Sequence, residues 1–296
     1  MMNSPFSGLL VALATPFHAD GSLDLPAFRR LVRHVVGGGA DGLVVLGSTG
    51  EAATILDGER DHLIAACLEE AGQAQVVVGT GSNATHQAVE WTRRAQQLGA
   101  AGALVMTPYY NKPTPGGLVA HYAACAEASP GLPIIVYNVP GRTGLNLTPT
   151  TLARLWENPQ VVAVKESSGN LAQIGEIART LPVGKALLSG DDNLALPSIA
   201  LGACGLVSVL GNVVPHQTKT LVDLALAGRR TDAAALHARL LPLMDALFLE
   251  SNPIPLKAAL QKIGICGDAL RLPLVPASET TRHRLAITLV PDAMVA

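Results

Sequence analysis

Six short stretches of this chain combine reactive side chains with the glycines and prolines of tight turns. Foremost is V-V-A-V-K-E-S-S-G-N (161–170), where one amine, Lys165, follows four apolar residues. Burial disfavours the ammonium form, and an amine must be uncharged before it can attack a carbonyl and form a Schiff base. A strand-end lysine that extends its head to water is the plainer alternative, so Lys165 has to be weighed with its companions. Y-N-V-P-G-R-T-G (137–144) offers the phenol of Tyr137, able to relay protons to a forming carbinolamine. It also offers Arg142, flanked by glycines, whose guanidinium can clamp a carboxylate bidentately. Packing for the tyrosine and solvation for the arginine are the duller uses. G-S-T-G-E (47–51) sets the hydroxyls of Ser48 and Thr49 beside backbone N–H groups in a glycine-flanked turn, which suits a carboxylate unless they merely cap a helix. T-P-Y-Y-N-K-P (107–113), S-G-D-D (189–192) and N-P-I-P-L-K (252–257) complete the set.

These residues are far apart in sequence, so the elements between them must bring them together. Short Val/Ile/Leu-rich runs recur at 9–14, 42–46, 75–79, 103–106, 134–137, 161–165, 186–189 and 205–209. Between them lie helical patterns near 26–36, 58–71, 85–98, 117–128, 149–156, 171–180, 193–201 and 215–227. Eight β/α units predict a parallel sheet closed into a (β/α)8 TIM barrel, and in that fold the ends of different strands share one mouth. An open doubly wound sheet would carry G-x-G-x-x-G after its first strand, and none is present. The nearest match, G-T-G-S-N (79–83), reads as a tight turn whose Ser82 or Asn83 caps the next helix. Three further helices, near 232–249, 254–263 and 278–288, predict a C-terminal helical extension rather than a separately folding domain. The expected division is a barrel over 1–228 carrying the site and an extension over 229–296.

Composition sets the limits. Of 296 residues, 49% are hydrophobic and 15% charged, which supports a large core, while 3% aromatics leave that core to Ala, Val, Leu and Ile. A net charge of −2 without a basic block argues against a nucleic-acid surface or a polybasic membrane patch. No run reaches the roughly 18 apolar residues of a membrane span. The apolar N-terminal run 8–14 has no Lys or Arg before Arg29, so it reads as a strand rather than a signal segment. Cys67, Cys125, Cys204 and Cys266 form no C-x-x-C pair and fit reduced thiols in a cytoplasmic protein. The eight histidines show no metal-ligand spacing, so no metal is expected, and no G-x-S-x-G elbow points to a serine hydrolase.

Taken together and in order, the six motifs resemble those of the dihydrodipicolinate synthase / N-acetylneuraminate lyase family over nearly the whole chain. The resemblance implies an enzyme that needs no cofactor and condenses pyruvate with aspartate 4-semialdehyde to 4-hydroxy-tetrahydrodipicolinate, in the diaminopimelate route to lysine. Lys165 would hold pyruvate as a Schiff base and Tyr137 would shuttle protons. Ser48 and Tyr110 would complete the relay, Tyr110 reaching in from a neighbouring subunit. Thr49 would bind the pyruvate carboxylate, Gly190 and Val207 would touch the intermediate through backbone, and Arg142 would take the semialdehyde carboxylate. The family pattern further implies a homotetramer. Ser48-Thr49 departs from the Thr-Thr usual among the synthases and matches many lyases, whereas the arginine of G-R-T-G is usual among the synthases and uncommon among the lyases. At the effector site of lysine-inhibited relatives Asn83 and Tyr109 match, but Asp57, Arg60 and Gln87 replace His, His and Glu, which predicts weak or absent lysine inhibition. Three other readings stand beside the synthase. One is a pyruvate lyase for a sialic or keto-deoxy sugar acid, and another a catalytically silent paralogue that binds carboxylates. The third, a pyridoxal phosphate enzyme using Lys165, lacks a phosphate cradle beside the eighth strand.

Overall fold

The structure, a computed structural model, describes residues 5–289; the outer ends of the expected ranges 1–228 and 229–296 lie outside them. Eight parallel strands close into a barrel in sequence order: β1 (Gly8–Ala12), β2 (Gly42–Val45), β3 (Gln75–Gly79), β4 (Gly102–Met106), β5 (Ile134–Asn138), β6 (Val161–Glu166), β7 (Ala186–Ser189) and β8 (Gly205–Ser208). Around them run α1 (Leu25–Gly37), α2 (Asp57–Glu70), α3 (Thr85–Gln97), α4 (Pro115–Ala128), α5 (Pro140–Thr143), α6 (Pro149–Leu155), α7 (Leu171–Thr180), α8 (Ala195–Leu201) and α9 (Pro215–Leu226). The chain ends in α10 (Arg230–Ala246), α11 (Ile254–Lys262) and α12 (Glu279–Thr288). None of the described helices is long and apolar enough to cross a membrane.

Strand residues alternate between two cores, as the two-residue period of an extended chain requires. In β1, Leu10 and Ala12 fill the barrel interior while Leu9 and Val11 face the helices. Phe6 plugs the interior at its lower end, so close to Gly102 that a Cβ there would come within 2.6 Å of the ring. The extension packs into the barrel's core: Leu240, Leu243, Leu256 and Leu260 belong to the same cluster as Leu9 and Leu43 of the barrel.

One irregularity decides where the amine points. Ile134 of β5 pairs with Val161 of β6, but Ile135 pairs with Ala163, so Val162 is an extra residue. Val161 and Val164 face the helices, while Val162 and Ala163 both face inward. The inserted residue resets the alternation, and Lys165, two residues beyond Ala163, therefore lies opposite Tyr137.

The expected elements form with ends shifted by a few residues, and three local differences matter. The arginine turn is a short helix, α5, because Pro140 presets its first helical residue and Gly144, at φ +70°, closes it. The turns 48–50, 192–194 and 210–212 tighten into single 3-10 turns. Neither Ser82 nor Asn83 caps α3: the helix starts later, after Ala84, and Ser82 Oγ accepts instead from the Ala84 N–H at 3.2 Å.

Candidate active site

Above the strand ends lies a cavity of about 350 Å³, lined among others by Ser48, Tyr109, Tyr137, Arg142, Asn252 and Leu274. Three expected residues, Ser48, Tyr137 and Arg142, therefore face it directly. Lys165 lies just behind Tyr137, only 4% exposed, with Nζ 4.1 Å from the centroid of the phenol ring. Its head does not extend to bulk water, because the strand register holds it against the barrel interior. Thr49 and Val207 are buried beside this layer, Val207 within the interior core that includes Tyr137. Thr49 caps no helix; its Oγ1 accepts from Asn252 Nδ2 at 2.9 Å.

Gly190 shows why a side chain is excluded beside the amine. A Cβ there would sit 2.9 Å from Lys165 Cε and 1.8 Å from Ser167 Oγ. Its N–H is engaged with Glu166 O at 2.8 Å. Tyr110 is the exception among the expected residues: within this chain it is 87% exposed and outside the cavity, while its neighbour Tyr109 lines it. Tyr110 and Lys112 adopt left-handed backbone (φ +70° and +43°), as do Leu46 and Glu51 (φ +60° and +54°). All four non-glycine residues with positive φ among those described therefore flank this mouth, on the loops after β2 and β4. Gly79 permits one of these conformations, since a Cβ there would come within 2.0 Å of Leu46 O.

Carboxylates surround the base of the amine. Burial pushes the Asp191 carboxyl up to about 6; the nearby Lys165 opposes this, and Asp192 and Glu166 add to it. Asp192, fully enclosed, is raised by burial but accepts from Ser208 Oγ (2.5 Å) and from the N–H groups of Val209 and Leu210 (both 3.0 Å). Glu166 is raised for the same reason and is held by Asn138 Nδ2 (3.0 Å) and the Ser168 N–H (2.9 Å). These bonds tie the loop after β7 to the end of β8, and the end of β6 to β5 and to its own loop.

Several site residues carried no role in the sequence reading. Glu51 of G-S-T-G-E pairs with Lys257 of N-P-I-P-L-K at 2.5 Å, both buried. Lys257 also donates to Ala269 O at 2.7 Å and lies 4.1 Å over the Phe17 ring. Burial pulls its ammonium down, and Glu51 counters that. A charge inside the apolar run I-P-L-K-A-A-L was the available signal, since a lysine buried in a helix needs a partner. Arg271 then clamps Glu59 (2.5 and 2.6 Å) and donates to Gly21 O and Thr54 O, closing the extension over the loop after β2. Asn252 joins both sides of the mouth: besides its bond to Thr49, its carbonyl accepts from Arg142 Nη2 at 2.8 Å.

The expected effector positions are brought together only in part. Asp57, Arg60 and Gln87 line an adjoining cleft of about 300 Å³ with Trp91, and Arg60 and Trp91 also border the main cavity, where Tyr109 lies. Arg60 is buried, donates to Gly79 O (2.7 Å) and stacks 3.9 Å over Trp91. It forms no ion pair among the described residues, and burial pulls its pKa down to about 10.

Comparison with known proteins identifies the family and agrees with the fold. The profile of the dihydrodipicolinate synthetase family matches residues 5–290. The 4-hydroxy-tetrahydrodipicolinate synthase of Parasynechococcus marenigrum is 46% identical over 287 residues, 97% of this chain and 95% of that one. The crystal structure of dihydrodipicolinate synthase from Thermotoga maritima superposes with a TM-score of 0.95 at 41% identity, covering 98% of this chain and 99% of the other. The chloride-inhibited enzyme from Acinetobacter baumannii, solved in complex with pyruvate, gives a TM-score of 0.94 at 39% identity and covers 98% and 99%. With its barrel, its motifs and near full-length matches of this kind, the chain belongs to the dihydrodipicolinate synthetase family.

Proposed function

We propose that this protein is a lyase that condenses pyruvate with aspartate 4-semialdehyde through a Schiff base, giving 4-hydroxy-tetrahydrodipicolinate for diaminopimelate and lysine synthesis. The observation that carries the reading is the enclosed amine of Lys165 packed over the ring of Tyr137, which lines the cavity. Lys165 attacks the ketone of pyruvate, Tyr137 with Ser48 moves the proton that lets water leave, and the resulting iminium acts as an electron sink. Loss of a methyl proton gives the enamine, whose carbon attacks the aldehyde. The amino group of the second substrate then displaces Lys165 as the ring closes. Thr49 receives the carboxylate of pyruvate, and Gly190 and Val207 meet the intermediate through backbone. Arg142, at the cavity wall, receives the carboxylate of the semialdehyde.

In this reading the barrel, 1–228, supplies the chemistry and the extension, 229–296, closes one wall. Tyr110 completes the relay in a neighbouring subunit of a homotetramer, consistent with its exposure here. The working place of such a biosynthetic enzyme with four unpaired cysteines is the cytoplasm. The near full-length relatives named as synthases favour this reaction over sugar-acid cleavage and over a silent carboxylate-binding role. The test is incubation with pyruvate and borohydride followed by peptide mapping, then turnover of aspartate semialdehyde against N-acetylneuraminate. An adduct on Lys165 and preference for the semialdehyde are expected. An unmodified Lys165, or faster cleavage of N-acetylneuraminate, would overturn the assignment.

A further inference from the structure

Asn252 stands on the link between α10 and α11, outside the barrel, yet it is 4% exposed and lines the cavity with Ser48, Tyr137 and Arg142. Its Nδ2 donates to Thr49 Oγ1 at 2.9 Å, and its carbonyl accepts from Arg142 Nη2 at 2.8 Å. Its Oδ1 is buried and has no hydrogen-bond partner among the described residues. The backbone around it is fixed by the bonds Ile254 N–H to Ser251 O (2.8 Å) and Lys257 N–H to Pro253 O (2.9 Å), and by the Lys257–Glu51 ion pair.

A hydroxyl offers one donated hydrogen and two accepting lone pairs, whereas a carboxamide nitrogen only donates. With Nδ2 occupying an acceptor position on Thr49, the threonine's hydrogen cannot return to that nitrogen and must be offered elsewhere. An accepted hydrogen bond also polarises the O–H and strengthens what it donates. Thr49 is thereby set as a donor, the polarity a carboxylate requires. The carbonyl of the same residue tethers the guanidinium assigned to the second carboxylate.

We propose that Asn252 is a positioning residue for substrate carboxylates: its side chain fixes the polarity of the Thr49 hydroxyl and its backbone holds Arg142 at the cavity wall. This rests on the reading of Thr49 as the pyruvate carboxylate site. The extension thus sets the hydrogen-bond direction inside the active site as well as covering it.

Asn252→Asp keeps shape and backbone but, when ionised, only accepts; the Thr49 hydrogen turns toward it and the site loses its donor. The readout is the pyruvate concentration that half-saturates borohydride trapping on Lys165, which needs no second substrate. Asn252→Asp is expected to raise it by about 10- to 100-fold, the range for loss of a hydrogen bond to a charged group. Trapping at saturating pyruvate should persist, and the defect should shrink as pH falls and the new carboxyl regains a proton. Asn252→Ala should raise it less, and should add little in a Thr49→Val background. An Asn252→Asp protein with wild-type half-saturation overturns the proposal, because the side chain would then be accepting from Thr49 or inert. So does a Thr49→Val protein that saturates normally. If Asn252→Asp fails to fold, the cycle of Asn252→Ala with Thr49→Val decides: additive effects overturn the proposal and non-additive ones support it. Failure of the Schiff-base reading itself is distinct, since the wild-type protein would then form no adduct.

Discussion

A carboxyl group whose proton affinity is set by its surroundings gives the most direct residue-level test. Burial raises Asp191 from 3.8 to about 6, so between those values the folded protein holds a proton that the unfolded chain releases. The stabilising contribution is therefore complete below pH 3.8 and is lost as pH rises through about 6. Asp191→Asn removes it, and the variant's unfolding free energy should fall less steeply than that of wild type between about pH 4 and pH 6. Urea midpoints across that range provide the measurement, and parallel curves would show that Asp191 titrates like a solvated acid. Above this range the ionised Asp191 places negative charge near Lys165, which favours the iminium over a neutral carbonyl at the same place.

At the scale of elements, the loop after β2 and the helix α11 are joined by a pair of charges in a dry setting. Glu51 and Lys257 lie 2.5 Å apart with almost no exposure, and Arg271 adds its N–H to Glu51 at 3.2 Å. Desolvation offsets much of the attraction within such a pair, but removing one partner leaves the other charged and buried. Lys257→Met should cost about 3–5 kcal/mol of stability, and Glu51→Gln combined with Lys257→Met should recover most of the loss. Chemical denaturation of the single and double variants measures both. A single variant that loses less than about 1 kcal/mol would mean that water reaches the pair. The same loop carries Ser48 and Thr49, so a weakened pair should also lower the yield of the pyruvate adduct.

For the whole molecule, the proposed role of Tyr110 in a neighbouring subunit can be tested directly, since within this chain the residue is exposed and outside the cavity. If it serves a neighbour's site, Tyr110→Phe and Lys165→Ala subunits, each nearly inactive alone, should regain activity when mixed and reassembled. Random pairing of two subunits gives about a quarter of the wild-type value, since half the dimers are mixed and each holds one complete site. No recovery would place Tyr110 in its own chain's site or outside the relay. The cleft around Arg60 belongs to the same scale. There Asp57, Arg60 and Gln87 stand in place of the His, His and Glu of lysine-inhibited relatives, and the Arg60 guanidinium is held by Gly79 O and the Trp91 ring, so millimolar lysine should inhibit weakly or not at all in a steady-state assay. Strong inhibition at low concentration would remove that expectation.

The barrel was legible from residue order alone, and so was the gathering of several candidate residues at one mouth, because both depend on local, periodic features. Eight apolar runs separated by helical patterns predict a closed parallel sheet, and closure gathers the residues that follow each strand. Lys165, Tyr137, Ser48 and Arg142 are candidates on those grounds, as residues of suitable chemistry at strand ends. Only the tertiary structure decided the rest, since it depends on register and on contacts across long sequence separations. The additional residue Val162 turns Lys165 inward, and alternation counted from Val161 would have turned it outward. The bonds from Asn252 to Thr49 and Arg142, and from Lys257 to Glu51, span between 110 and 206 positions. Side chains so distant in sequence acquire a hydrogen-bond direction or a charge partner only when the chain has folded around them.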